Sequence, residues 1–192
     1  MIELSKLPIT ELAAIICESL KKAGVKATLS GGACAEIYSK SKYVTGDLDF
    51  VVNYLWPQND KIIDTVMSAL GFKRAGRIFV NPTVSYSVEF PPGPLSIGEQ
   101  YLIQPVEIAL KNGNLLLLSP TDSAKDRLTS YLYGNDAQCL DQAVMICQMN
   151  DVDLDSIKEW AKHEGRPERF TEFLTKLSES KTPGKSRPRG RK

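Results

Sequence analysis

Two stretches of the chain alternate polar and apolar residues with period two. In Asp47-Leu48-Asp49-Phe50-Val51-Val52 the leading polar positions are both aspartate. In Thr83–Phe90 the residues Val84, Tyr86, Val88 and Phe90 fall on one face, with Ser85, Ser87 and Glu89 on the other. Such alternation predicts half-buried strands. Helical spacing appears first over residues 10–23, where Thr10 suits a cap, Ile15, Ile16 and Leu20 form the apolar stripe and Gly24 marks the end. A short strand is expected over Val25–Ser30, a helix from about Ala33 to Tyr38, and a further helix after Pro57 that Gly71 closes. Strands follow over Arg77–Val80 and over the second alternating stretch, with Asn81-Pro82 as the turn between them. Residues 106–119 read as a hairpin turning at Asn112-Gly113. Beyond Pro120 the pattern is helical in four segments up to residue 180. Strands with intervening helices, followed by a helical run, predict an α+β fold: a mixed sheet with flanking helices over 1–118 and a helical C-terminal part over 119–180. Residues 181–192 form a separate tail.

The two strands also carry candidate chemistry. Side chains two apart on a strand share a face, so Asp47 and Asp49 point together while Leu48 and Phe50 face the core. Like charges held so close repel, and a divalent cation relieves them; Mg²⁺ is commonly held by one or two carboxylates plus substrate phosphates. Glu89 would join them if its strand lies beside theirs. Read alone, these residues also fit two solvated aspartates at a strand start and an exposed glutamate at a strand end. Upstream, Ser30-Gly31-Gly32 joins a strand to a helix. Without a Cβ the backbone there can approach a phosphate, and a helix N-terminus offers unpaired N–H groups. The same pair equally suits a tight turn that needs glycine for conformation alone.

A second polar group, Lys125-Asp126-Arg127, lies on the helix after Pro120, with Ser119 or Thr121 as cap and Leu128, Tyr131 and Leu132 as its apolar stripe. Arg127 suits bidentate phosphate contact, and a solvated helix face with local ion pairs is the other reading.

These motifs together resemble the nucleotidyltransferase superfamily, the DNA polymerase beta-like fold. Gly31-Gly32 stands where that family opens a helix after its first strand, Asp47-Leu48-Asp49 where it carries its paired acids, and Val88-Glu89-Phe90 where it carries the third. The stretches LSGGACAEIY…YVTGDLDFVV and SPTDSAKDRLTSYLYGNDAQCLDQA look closer still to small bacterial proteins around the AbiEii-type toxin nucleotidyltransferases. The resemblance spans roughly residues 25 to 150. It implies transfer of a nucleoside monophosphate from an NTP to an acceptor hydroxyl. Asp47, Asp49 and Glu89 would be catalytic and would hold Mg²⁺, or Mn²⁺ in its place. Ser30, Gly31 and Gly32 would hold the phosphates, and Lys125, with Arg127 as a second candidate, would neutralise them. It further implies tRNA ends or partner-protein side chains as acceptors, and a cognate toxin or antitoxin as partner. Two other functions share these motifs: a non-catalytic binding or antitoxin module, and an enzyme that modifies an antibiotic or sugar.

Composition narrows the class. The 192 residues are 42% hydrophobic and 24% charged, which suits a globular domain with a real core. No apolar run reaches the roughly 18 residues of a membrane span, and the N-terminus lacks the layout of a signal peptide. Cys17, Cys34, Cys139 and Cys147 show no metal-ligand spacing and His163 is the single histidine, so a zinc site is not expected. The cysteines read as buried thiols in a reducing cytoplasm. Residues 181–192 hold six Lys and Arg and no acid, leaving about −5 on the remainder against a total of +1. Such a tail is expected to be disordered. It can gather RNA or DNA through phosphates, or equally be a solubilising end with no binding role, and the body shows no obvious basic, aromatic-studded patch beside it. Trp56 and Trp160 are expected to pack rather than to stack on bases.

Overall fold

In the computed structural model, residues 3–52 and 58–181 are described. A short 3-10 turn leads into α1 (Ile9–Lys22), followed by β1 (Ala27–Ser30), α2 (Gly31–Tyr38), β2 (Asp47–Val52), α3 (Gln58–Ala69), β3 (Lys73–Ala75), β4 (Ile78–Val80) and β5 (Ser87–Glu89). Then come β6 (Val106–Leu110), β7 (Gly113–Leu117), α4 (Pro120–Gly134), α5 (Ala137–Met149), α6 (Leu154–His163) and α7 (Pro167–Lys181). The α+β expectation holds.

The seven strands form one mixed sheet in the order β3-β4-β5-β2-β1-β7-β6. β1 runs antiparallel to β2 and parallel to β7, and β2 runs parallel to β5. Leu29 pairs with Phe50 on one side and Leu117 on the other, a fully buried row at the centre of the sheet. Leu48, Phe50, Val52 and Val88 supply the same buried face, against which Leu12, Ile16, Leu20, Ile63 and Met67 of α1 and α3 belong to the core. One apolar cluster continues from there through α2, α4 and α5 to Phe170, Phe173 and Leu177 of α7. Trp160 packs as expected, with its indole N–H donating to the Ile97 carbonyl at 3.2 Å. All four cysteines are buried thiols, as expected.

Several boundaries differ from the pattern reading, each for a local reason. α1 starts before Thr10, because the Pro8 carbonyl already accepts the N–H groups of Glu11 and Leu12. α2 starts at Gly31 rather than Ala33. The second alternating stretch pairs only over Ser87–Glu89: Asn81 closes a turn by accepting the Thr83 and Val84 N–H groups, so residues 81–84 never enter the ladder. β3 was not expected, since Lys73-Arg74-Ala75 has no apolar alternation and is held as an edge strand by its hairpin with β4. Ser119, not Thr121, caps α4, accepting the Asp122 N–H at 3.0 Å. Trp56, Pro57 and residues 182–192, most of the expected tail, lie outside the described residues. Among the described residues, no helix is long and apolar enough to cross a membrane.

Candidate active site

Strand register brings the acids together. Asp49 of β2 pairs with Ser30 of β1 on one side and with Glu89 of β5 on the other. Asp47 stands two positions earlier on β2, opposite Ser87. Directly paired residues share a face, so Ser30, Asp47, Asp49 and Glu89 occupy the sheet face opposite the core row. Asp47 is exposed, whereas Asp49 and Glu89 are half-buried. Burial, reinforced by the charges of Asp47 and Glu89, pushes the Asp49 carboxyl up to about 6; Arg127 works in the opposite direction. Removing Asp49 from water beside two like charges creates a conflict that a bound cation would relieve.

Among the described residues, no group of three or more His, Cys, Asp or Glu is arranged so that it could hold a metal ion. The donors available here are carboxylate oxygens, which suit Mg²⁺ or Mn²⁺ when a substrate completes the ligand set. The chemistry of the donors and the raised Asp49 pKa fit such a cation.

The glycine pair packs directly on this row. Gly31 has φ +69°, in the left-handed region, and a Cβ there would overlap the Asp49 carboxylate, standing 3.3 Å from its Cγ. Both conditions demand glycine. A Cβ on Gly32 would lie 2.9 Å from Thr45 Oγ1 and 3.3 Å from the Tyr43 hydroxyl. The Ser30 hydroxyl does not cap α2; it donates to the Asp49 carbonyl at 3.4 Å and ties the turn to the acid strand.

Two residues that sequence reasoning passed over complete the surroundings. Thr45 donates its hydroxyl to Asp47 Oδ1 at 2.5 Å. Its backbone N–H donates to Glu36 Oε2 at 2.8 Å, and the Tyr86 hydroxyl donates to Glu36 Oε1 at 3.3 Å. The available signal was a lone glutamate in the otherwise apolar "GGACAEIY" helix: a charge on a buried element needs partners.

Lys125 and Arg127 part company. Buried Lys125 donates to Ser156 Oγ at 2.9 Å and Gln100 Oε1 at 3.4 Å and lies 3.7 Å from Asp122. It lines a hollow of about 440 Å³ with Glu99, Trp160 and Glu164. Its polar partners are thus outside the acid row. Half-buried Arg127 pairs with Asp126 at 2.6 Å, and its charge acts on Asp49. On the far side of the row, Glu89 borders a hollow of about 590 Å³ with Asp60, Arg74 and Arg77.

No protein-family model matches the chain, and no curated protein matches it. Solved structures do. An antigenic nucleotidyltransferase-like protein from Paracoccidioides brasiliensis is similar over 93% of this chain and 88% of its own, with 14% identity and a TM-score of 0.58. The antibiotic-resistance factor ANT(2'')-Ia in solution is similar over 90% of this chain and 91% of its own, with 10% identity and a TM-score of 0.50. Its crystal structure in complex with adenylyl-2''-tobramycin covers 88% of this chain and 97% of its own, at 9% identity and a TM-score of 0.50. At these identities the likeness is one of fold. The chain has the nucleotidyltransferase-like fold.

Proposed function

We propose that the chain is a nucleotidyltransferase that moves a nucleoside monophosphate from an NTP to an acceptor hydroxyl. The observation that carries this reading is the row Ser30–Asp49–Glu89, with Asp47 beside it and Gly31 against it. The acceptor oxygen attacks the α-phosphorus, the bond from that phosphorus to the β-phosphate bridge oxygen breaks, and pyrophosphate leaves. Phosphoryl transfer of this kind depends on positioning and charge stabilisation. Asp47, Asp49 and Glu89 would hold Mg²⁺ or Mn²⁺, which supplies charge neutralisation at the phosphates and acidifies the attacking hydroxyl. Glu89, which borders the same hollow as Asp60, Arg74 and Arg77, would take the acceptor's proton. The Ser30-Gly31-Gly32 turn would hold the β- and γ-phosphates, with Gly31 packed directly against the Asp49 carboxylate. Arg127, whose charge already reaches Asp49, offsets charge on the triphosphate. Lys125 serves the same end only by releasing Ser156 and Gln100.

The acceptor proposed is a tRNA end or a partner-protein side chain, in a toxin-type enzyme of the reducing cytoplasm with a cognate antitoxin. The support is the resemblance of residues 25 to 150 to AbiEii-type proteins. A second reading, a small-molecule acceptor, is favoured by the similarity in fold to a protein that holds adenylyl-2''-tobramycin. A non-catalytic module is disfavoured, because all three acids are present and face one way. Incubation with each labelled NTP, Mg²⁺ and either total RNA, total protein or aminoglycosides tests the reading: label should enter one class, and only with Asp49 intact.

A further inference from the structure

Glu36 is 4% exposed on α2, and burying a carboxylate is unfavourable unless its oxygens are hydrogen-bonded. Its two oxygens engage two different segments. Oε2 accepts from the Thr45 backbone, two residues before Asp47, and Oε1 accepts from the Tyr86 hydroxyl, three residues before Glu89. These segments enter the parallel strands β2 and β5, which carry the acids, and the Ser87 N–H joins them by donating to the Gly46 carbonyl at 3.0 Å. The backbone carbonyl of Glu36 also accepts the Ser41 N–H at 3.0 Å, so one residue secures both ends of the 39–46 connection. With its N–H held, Thr45 turns its hydroxyl onto Asp47 Oδ1. Gly32 leaves the space that this hydroxyl occupies.

We propose that Glu36 is the positioning residue of the acid row, setting the Asp47 carboxylate through Thr45 and the strand that bears Glu89 through Tyr86. The inference rests on the reading of that row as a cation-holding site. A latch that served folding alone would need the Thr45 and Tyr86 contacts but not the Thr45 hydroxyl on Asp47. That contact holds one carboxylate oxygen of Asp47, a residue otherwise exposed. Groups that orient a metal-holding carboxylate in this way typically change metal affinity by about 10–100-fold when removed.

The test is Mn²⁺ binding to the full chain, followed by the electron paramagnetic resonance signal of the free ion, with folding checked by circular dichroism. Thr45→Val removes the hydroxyl and keeps the shape, and Glu36→Gln keeps the volume while turning one acceptor into a donor. Each should weaken Mn²⁺ binding about tenfold or more. Thr45→Ser should retain the parent's affinity, and Glu36→Gln combined with Thr45→Val should be little worse than Glu36→Gln alone, because the two act in series. If Glu36→Gln fails to fold, Thr45→Val and Thr45→Ser decide. Parent-like Mn²⁺ affinity in folded Thr45→Val overturns the role of Glu36 while leaving the acid row standing. Absence of Mn²⁺ binding in the parent, or equal binding in parent and Asp49→Asn, overturns the cation site and this inference with it.

Discussion

The Gly31 backbone lies against the Asp49 carboxylate so closely that any side chain at position 31 would displace it. The turn expected to meet phosphates and the strand expected to hold a cation are therefore one unit. Gly31→Ala should lose on two counts: about 1–2 kcal/mol for an alanine held at positive φ, and a shifted Asp49. Chemical denaturation of the variant checks the first, and its Mn²⁺ affinity the second. Unchanged affinity in a folded Gly31→Ala protein would show that the two features are independent.

Gly32→Val should act mainly through the protein itself. The new side chain meets Thr45 Oγ1 before it meets a phosphate, so the Thr45–Asp47 hydrogen bond is the first casualty. Cation binding should weaken together with NTP binding. Loss of NTP affinity alone, with parent-like Mn²⁺ affinity, would show that the clash is with the phosphate.

Asp49 sets the pH behaviour. Its carboxyl is raised from 3.8 to about 6, so between these values the folded chain holds a proton that the unfolded chain releases. Without metal, this group therefore lowers stability as the pH rises through that window, and its full cost is present above about 6. Asp49→Asn removes the cost: its melting temperature should exceed the parent's at pH 8, and the advantage should shrink towards pH 4. In the parent, protons and cation compete for Asp49, so the Mg²⁺ concentration for half-maximal transfer should climb as the pH falls below about 6. A Mg²⁺ requirement that is flat from pH 5 to 8 would remove Asp49 from the cation site.

The pairing of Asp47 with Asp49, and the face they share, were legible because strand alternation is a local property. The neighbourhood of Glu89 was legible only as a condition, since register between β2 and β5 is set by a ladder joining segments some forty residues apart. Glu36 was not legible. Its partners Thr45 and Tyr86 lie nine and fifty residues away, and helical periodicity says nothing about what a buried charge will meet. Lys125 shows the converse: helix spacing placed it correctly on α4, but its ammonium turns to Ser156 of α6. β3 was missed because edge pairing, not apolar pattern, makes it a strand.

The basic end gives a separate prediction. Deleting residues 182–192 removes five cations, so any RNA binding should weaken and lose part of its salt dependence as fewer counterions are released. Mn²⁺ affinity and melting temperature should stay as in the parent. If neither form binds RNA at low salt, the tail has no part in acceptor capture, and a protein or small-molecule acceptor is favoured.

The most direct measurement is transfer of α-labelled nucleotide by the parent and by Asp49→Asn, side by side, with Mg²⁺ and each of the acceptor classes. Covalent label in the acceptor and release of pyrophosphate in equal amounts are expected from the parent. Asp49→Asn should be slower by about a hundredfold or more while remaining folded. Equal transfer by the two proteins at saturating Mg²⁺, or none by the parent with any NTP and acceptor class while it binds NTP, would contradict the account.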